Sequence, residues 1–263
     1  MSQSTQHRPR KRFGQNFLKD NVVVQRIVNA IAPSDTDHVV EIGPGMGIMT
    51  EAILPHVQYL DAVELDRDLV AKLQHSALPL GNFTIHSADA LKFDFCSLAK
   101  SHEKLRVVGN LPYNISTPLI FHLLQRSHCI VDMHFMLQKE VVDRLAAAPG
   151  SSAYGKLSVM VQYYCRVEKL FDVAPEAFSP PPKVDSAVVR LVPHSIPPVQ
   201  VKELVRLEQV VAAAFAQRRK TLRNNLKGLL DTEILKANGV DPTRRAETLS
   251  LQEFAILANL LSS

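Results

Sequence analysis

Cysteine is scarce. Cys96, Cys129 and Cys165 are the only three in 263 residues, and no two form a C-x-x-C pair. Such spacing excludes a disulfide-stapled scaffold and offers no zinc-ligand pattern, so three buried thiols and no metal site are expected. Long apolar runs are missing as well. None approaches the ~18 residues that mark a membrane span, and the first residues lack the apolar stretch of a secretory signal. A cytoplasmic protein without a membrane partner is therefore expected. No internal repeat or low-complexity segment occurs, which excludes solenoids and propellers. Acid is absent from residues 1–12, where Arg8, Arg10, Lys11 and Arg12 stand alone.

A hydrophobic content of 46% suffices for one substantial core and a smaller appendage. The net charge of +4 is unevenly spread: residues 13–199 hold 16 basic and 19 acidic groups, and residues 200–263 hold 10 and 7. A slightly acidic body between two basic ends suits a protein whose ends meet a polyanion while its body does something else. Nucleic acid is the expected partner.

Between residues 38 and 190, short β-rich runs alternate with longer helical stretches, the pattern of a parallel sheet covered on both faces. Strands are predicted at 38–42, 59–64, 83–86, 105–108, 130–137, 159–164 and 186–191. That makes an α/β fold with a seven-stranded, mostly parallel, Rossmann-like sheet, the last two strands spaced to allow an antiparallel pair. Pro193, Pro197 and Pro198 mark a linker. It separates a domain over 1–195, with a basic N-terminal arm, from a helical domain over 200–263. A long helix is predicted around 203–229, with Arg219, Arg223 and Lys227 on one stripe and Leu222, Leu226 and Leu230 on another.

The first strand, Val39-Val40-Glu41-Ile42, runs into Gly43-Pro44-Gly45-Met46-Gly47 and then a helical stretch. Glycine lets the backbone approach a ligand where a Cβ would collide, and the carboxyl end of a strand in an open α/β sheet is where ligands bind. A dinucleotide loop would read G-x-G-x-x-G, to set a pyrophosphate on the helix N-terminus. Here the spacing is G-x-G-x-G, and Glu41 just before it suits an ammonium-bearing ligand without phosphate. S-adenosylmethionine is such a ligand. Two further acids fall at strand ends: Glu64, placed to accept ribose hydroxyls, and Asp89 in Ser87-Ala88-Asp89-Ala90, placed to accept from an adenine amino group. Either acid alone is as readily a helix cap.

Asn110-Leu111-Pro112-Tyr113 closes the apolar run Val107-Val108-Gly109. The Asn110 side-chain oxygen and the Leu111 carbonyl can each accept one N–H of an exocyclic amine, while Tyr113 offers a ring face to a planar base. A strand that merely ends in a turn would use the same residues. Phe178 is expected to cover the other face of the base, with core packing as the alternative. His134 lies mid-strand and reads as a core histidine, because no second ligand stands at metal spacing.

With these motifs in order, the chain resembles the KsgA/RsmA family of ribosomal RNA adenine dimethyltransferases over nearly its whole length. The likeness is carried by Lys11-Arg12-Phe13-Gly14-Gln15-Asn16-Phe17-Leu18, the glycine loop, Glu64-Leu65-Asp66 and Asn110-Leu111-Pro112-Tyr113-Asn114-Ile115-Ser116-Thr117-Pro118. Phe178-Ser179-Pro180-Pro181-Pro182-Lys183-Val184-Asp185-Ser186 and Gln217-Arg218-Arg219-Lys220-Thr221 complete it. The resemblance implies a class I S-adenosylmethionine-dependent methyltransferase. It further implies that the enzyme dimethylates two adjacent adenosines near the 3′ end of small-subunit ribosomal RNA, within an assembling 30S particle. A monomer is expected. The implied cofactor set is Asn16, Leu18, Gly43, Gly45, Glu64, Asp89, Ala90 and Asn110, with Asn110, Leu111, Tyr113 and Phe178 at the reacting base. Arg218, Arg219, Lys220 and Arg223 are expected to meet phosphates. Two rivals remain open: an assembly factor that keeps the fold but acts by binding, and a methyltransferase of large-subunit RNA.

Overall fold

The computed structural model describes residues 16–77, 82–99 and 104–261. The basic residues Arg8 to Arg12 and the part of the N-terminal motif before Asn16 lie outside these. Two compact units are present: residues up to 142 together with 168–193, and residues 143–167 together with 194–263. The segment 143–167, assigned from sequence to the first domain, groups instead with the C-terminal residues.

The first unit begins with β1 (Phe17–Leu18), α1 (Asn21–Ile31), β2 (His38–Ile42), α2 (Ile48–Ile53), β3 (Tyr59–Glu64), α3 (Arg67–Ala77) and β4 (Phe83–Ser87). It continues through β5 (Leu105–Asn110), α4 (Ser116–Leu124), β6 (Ile130–Gln138) and α5 (Lys139–Leu145), which runs across the boundary of the units. After α6 (Lys156–Tyr164) come β7 (Cys165–Val173), β8 (Phe178–Ser179) and β9 (Ser186–Pro193). Seven strands form one sheet in the order β4-β3-β2-β5-β6-β9-β7. β2 through β6 pair in parallel and β9 runs antiparallel to β6. Every residue of β2 is buried, as expected for a central strand covered on both faces. Chain order reverses between β2 and β5, so the connections after these strands diverge and leave a crevice at their carboxyl ends.

A second, two-stranded sheet pairs β1 with β8, Phe17 opposite Ser179 and Leu18 opposite Phe178. Leu18 and Phe178 share the apolar cluster that includes Val24 and Val28 of α1, Val108 of β5 and Met136 of β6. At the other end of the sheet, Arg106 donates to both carboxylate oxygens of the buried Asp132, at 2.9 and 3.0 Å. His134, only 2% exposed, is held neutral by burial, which pushes its pKa down to about 4; it is a core histidine.

Three further sequence expectations change. Residues 159–164 belong to the helix α6, not to a strand, and the seventh strand is the following segment, β7. Residues 157–161 are all buried, and a short run of buried β-branched residues has the same apolar signature in either state. The long helix at 203–229 is broken. α7 (Leu204–Ala214) stops, a turn follows, and α8 (Leu222–Asn225) restarts. Asn225 Nδ2 donates to the carbonyls of Ala214 at 2.6 Å and Gln217 at 3.1 Å, serving oxygens that a continuous helix would have used. Cys96 and Cys129 are joined by a disulfide, with Cα atoms 5.6 Å apart. Cys165 alone is a free buried thiol, its pKa pushed up to about 12 by desolvation.

The second unit also contains α9 (Thr232–Ala237) and α10 (Leu251–Leu260). Leu207, Val211, Leu222, Leu226 and Phe254 are fully buried within it. Ser250 caps α10 by accepting from Glu253 N–H at 3.2 Å, while Glu253 accepts from Ser250 N–H at 2.8 Å. Among the described residues no helix is long and apolar enough to cross a membrane.

Candidate active site

The carboxyl ends of β2, β3, β4 and β5 open onto a cavity of about 260 Å³, near the ~300 Å³ lower bound of small-molecule sites. Asn16, Leu18, Gly43, Gly45, Glu64, Asp89, Asn110, Leu111 and Tyr113 all line it, as do Glu41 and Met46. Two expected residues do not. Phe178 is 1% exposed and packs in the core beside Leu18, so it supports the cleft wall from behind and does not cover a base. Ala90 is buried at 9% exposure, and the wall after Asp89 is formed by Leu91 instead.

Gly45 adopts φ +60°, and a Cβ there would lie 3.0 Å from the Phe17 ring. The loop therefore runs close beneath β1, and both backbone twist and space call for glycine. Gly43 N–H donates to Val63 O at 2.9 Å, carrying the β2 to β3 register one residue into the loop. Glu64 Oε1 accepts from Asp66 N–H at 2.8 Å and Oε2 accepts from Gly45 N–H at 3.4 Å. These bonds orient the carboxylate, although burial outweighs them and raises its pKa. Asp89 Oδ1 accepts from Leu91 N–H at 3.0 Å, which fixes the orientation of the carboxylate.

Glu41 is 2% exposed and accepts from Thr50 Oγ1 at 2.6 Å. Desolvation raises its pKa to about 7 against the Thr50 hydrogen bond, and the nearby charge of Glu64 adds to the rise. A cationic ligand beside it would reverse both effects. The described lining contains Glu41, Glu64 and Asp89 but no Lys, Arg or His. This donor set fits S-adenosylmethionine. It offers acceptors for an ammonium group, ribose hydroxyls and an adenine amine, and nothing to neutralise a phosphate.

The Asn110 tetrapeptide is fixed from several sides. Asn110 Nδ2 donates to Asn16 O at 3.0 Å, so its Oδ1 is the atom available to accept from a ligand. Leu111 N–H donates to Met136 O at 3.2 Å and Ile115 N–H to Pro112 O at 3.1 Å, which sets the plane of the Leu111 carbonyl. The Tyr113 hydroxyl lies 2.9 Å from Ser186 Oγ on β9, and Ser186 is wholly buried.

Arg218, Arg219, Lys220 and Arg223 are all exposed in the second unit. Arg218 donates to the Ser152 carbonyl. The other three occupy the turn and the short helix α8, exposed where Leu222 and Leu226 are buried. Sequence reasoning overlooked Thr50, Phe17 and Ser186 as supports of the cleft. Thr50 had a local signal, since it stands in the first turn of the helix that follows Glu41. Ser186 had none, because its partner is 73 residues away.

The model of the family "Ribosomal RNA adenine dimethylase" matches residues 6–263. A Pseudomonas putida protein named ribosomal RNA small subunit methyltransferase A is 58% identical over 262 residues, covering 100% of this chain and 98% of the relative. A protein of the same name from Marinomonas sp. is 57% identical over 259 residues, covering 98% and 97%. Among solved structures, a dimethyladenosine transferase from Plasmodium falciparum superposes with a TM-score of 0.75 at 26% identity, covering 94% of this chain and 96% of that one. The 23S rRNA methyltransferase ErmE shares the fold with a TM-score of 0.75 at 23% identity, covering 94% and 100%. The cleft geometry and the full-length match agree: this chain belongs to the ribosomal RNA adenine dimethylase family.

Proposed function

We propose that the chain dimethylates the exocyclic amino groups of two adjacent adenosines near the 3′ end of small-subunit ribosomal RNA, acting as a monomer on the assembling 30S particle. The observation that carries this reading is the bond from Asn110 Nδ2 to Asn16 O. It commits the amide nitrogen and presents Oδ1 as an acceptor beside the Leu111 carbonyl, a pair matched to the two N–H bonds of one amino group. S-adenosylmethionine, when bound, supplies the electrophilic methyl on a sulfonium centre.

The amino nitrogen of adenine is a poor nucleophile because its lone pair is delocalised into the ring. By accepting both N–H bonds, Asn110 Oδ1 and the Leu111 carbonyl favour a more tetrahedral nitrogen and orient its lone pair. The same two acceptors stabilise the positive charge that develops on the amine, so no strong general base is required. Tyr113, its hydroxyl held by Ser186, offers its ring to the base; stacking is worth about 1–3 kcal/mol, against the few kcal/mol needed to extrude a base. Glu64 and Asp89 would hold the ribose and adenine of the cofactor, and Glu41 its ammonium end. Arg219, Lys220 and Arg223 would meet phosphates and position the particle without reading bases.

The test is incubation with isotopically labelled S-adenosylmethionine and small subunits lacking the modification, followed by mass spectrometry of the nucleosides. Dimethyladenosine at adjacent 3′-end positions is expected, with turnover falling by about 100- to 1000-fold in Asn110→Ala. Subunit binding without any label would favour the assembly-factor reading. Label in large-subunit RNA would move the substrate.

A further inference from the structure

The sequence spacing of the cysteines offers no metal pattern, yet the fold assembles one away from the cleft. Cys96 lies in the single turn Phe95–Leu98 of the connection after β4, and His128 and Cys129 close the turn Ser127–Cys129 before β6. One ligand atom from each of Cys96, His128 and Cys129 comes within 4.8 Å of the others. Both sulfurs also converge on one backbone oxygen, Arg126 O, at 3.4 Å from Cys96 and 3.2 Å from Cys129. That carbonyl can accept from either thiol once the pair is reduced.

We propose that Cys96, Cys129 and His128 form a three-ligand site for a soft divalent metal ion such as zinc, available when the two cysteines are reduced. Two thiolates and one imidazole are the ligand types zinc prefers, and three protein ligands leave a fourth tetrahedral position for water. Cys129 is buried, Cys96 half-buried and His128 exposed, so the site is closed on the Cys129 side and open to an ion on the His128 side. The disulfide and the metal exclude each other, because sulfurs bonded together cannot both serve as thiolate ligands. A low-molecular-weight thiol opens the site by exchange. Two thiol molecules are oxidised to their own disulfide, and their two electrons and two protons convert the Cys96–Cys129 bond into two thiols. Metal binding then releases both thiol protons. In either state the cross-link fastens the segment that follows Asp89 to the turn between α4 and β6. Phe93 O already accepts from His122 Nε2 of α4, at 2.9 Å.

Cobalt(II) titration of the full chain tests this, because thiolate-bound cobalt shows a near-ultraviolet charge-transfer band and tetrahedral cobalt an intense visible spectrum. The chain reduced with a phosphine, which takes up the sulfur–sulfur bond with water to give two thiols and phosphine oxide, is expected to bind one cobalt per chain. The oxidised chain should show neither band. Zinc should bleach both. Cys96→Ser and Cys129→Ser should each lose the stoichiometric signal, and His128→Asn should lose binding at equimolar cobalt while circular dichroism confirms the fold. Absence of thiolate–cobalt absorption from the reduced wild-type chain would overturn the proposal. So would cobalt binding that is unchanged in any of the three variants.

Discussion

Desolvation pushes the pKa of the buried Glu41 carboxyl up to about 7, so around neutrality it is about half protonated. A bound ammonium group favours the carboxylate and lowers that pKa. Below about pH 7, binding must therefore expel a proton, and affinity for S-adenosylmethionine should fall by up to ~1.4 kcal/mol for each pH unit. Above it, affinity should level off. Calorimetry between about pH 6 and pH 8 measures the slope, and Glu41→Gln should flatten it; an unchanged slope in that variant would assign the proton elsewhere. Tyr113 and Ser186 give a second test at this scale. Tyr113→Ala should lower kcat while leaving the cofactor Kd near its wild-type value, because the proposed function assigns its ring to the base and not to the cofactor. Ser186→Ala should produce a milder form of the same split. Wild-type turnover in Tyr113→Ala would end the stacking idea.

Among the elements, the contact between β2 and β5 governs where Asn110 sits. Gly109 is next to it, and a Cβ at Gly109 would lie 2.5 Å from the Ile42 carbonyl oxygen, a backbone atom of the neighbouring strand that cannot turn aside. Gly109→Ala should therefore spread the two strands, with a destabilisation of about 1–3 kcal/mol by urea unfolding. Because the displaced residue adjoins Asn110, methylation should drop by more than the loss of folded protein explains. Full activity at reduced stability would mean that the strands relax without moving the tetrapeptide. The pairing of β1 with β8 works at the same scale, holding Phe17 against Gly45 of the glycine loop by pairing to a strand far along the chain.

For the whole molecule, charge is divided between an acidic cleft in the first unit and exposed basic residues in the second. Exchanging Arg219, Lys220 and Arg223 for Gln should reduce the slope of log affinity for small subunits against log salt by roughly one for each phosphate no longer neutralised. Binding of S-adenosylmethionine should not change, because none of these residues lines the cleft. An unaltered salt slope would assign phosphate binding to other basic residues, Arg8 to Arg12 among them.

Much of the site was legible because its signals are local. The G-x-G-x-G loop after a Val-Val-Glu-Ile strand, the acids at two further strand ends and the Asn110 tetrapeptide are short runs, and parallel-sheet topology brings strand ends together. What stayed hidden depends on residues far apart in sequence. Phe178 was an exposed aromatic or a core residue on equal terms until its pairing with Leu18 decided for the core. Val159 to Tyr164 carried the apolar density of a strand, yet the segment forms the second half of α6, whose residues 157–161 are buried. The basic and leucine stripes of 219–230 were sorted correctly to outside and inside, while the break between α7 and α8 required the amide of Asn225 to serve carbonyls of the preceding turn. Cys96 and Cys129, separated by 33 residues, meet only because two different crossover connections end side by side. Residue type and period thus determined the fold class and the chemistry of the cleft, since both rest on neighbours along the chain; the partners of single side chains were decided by tertiary packing, which sequence spacing does not encode.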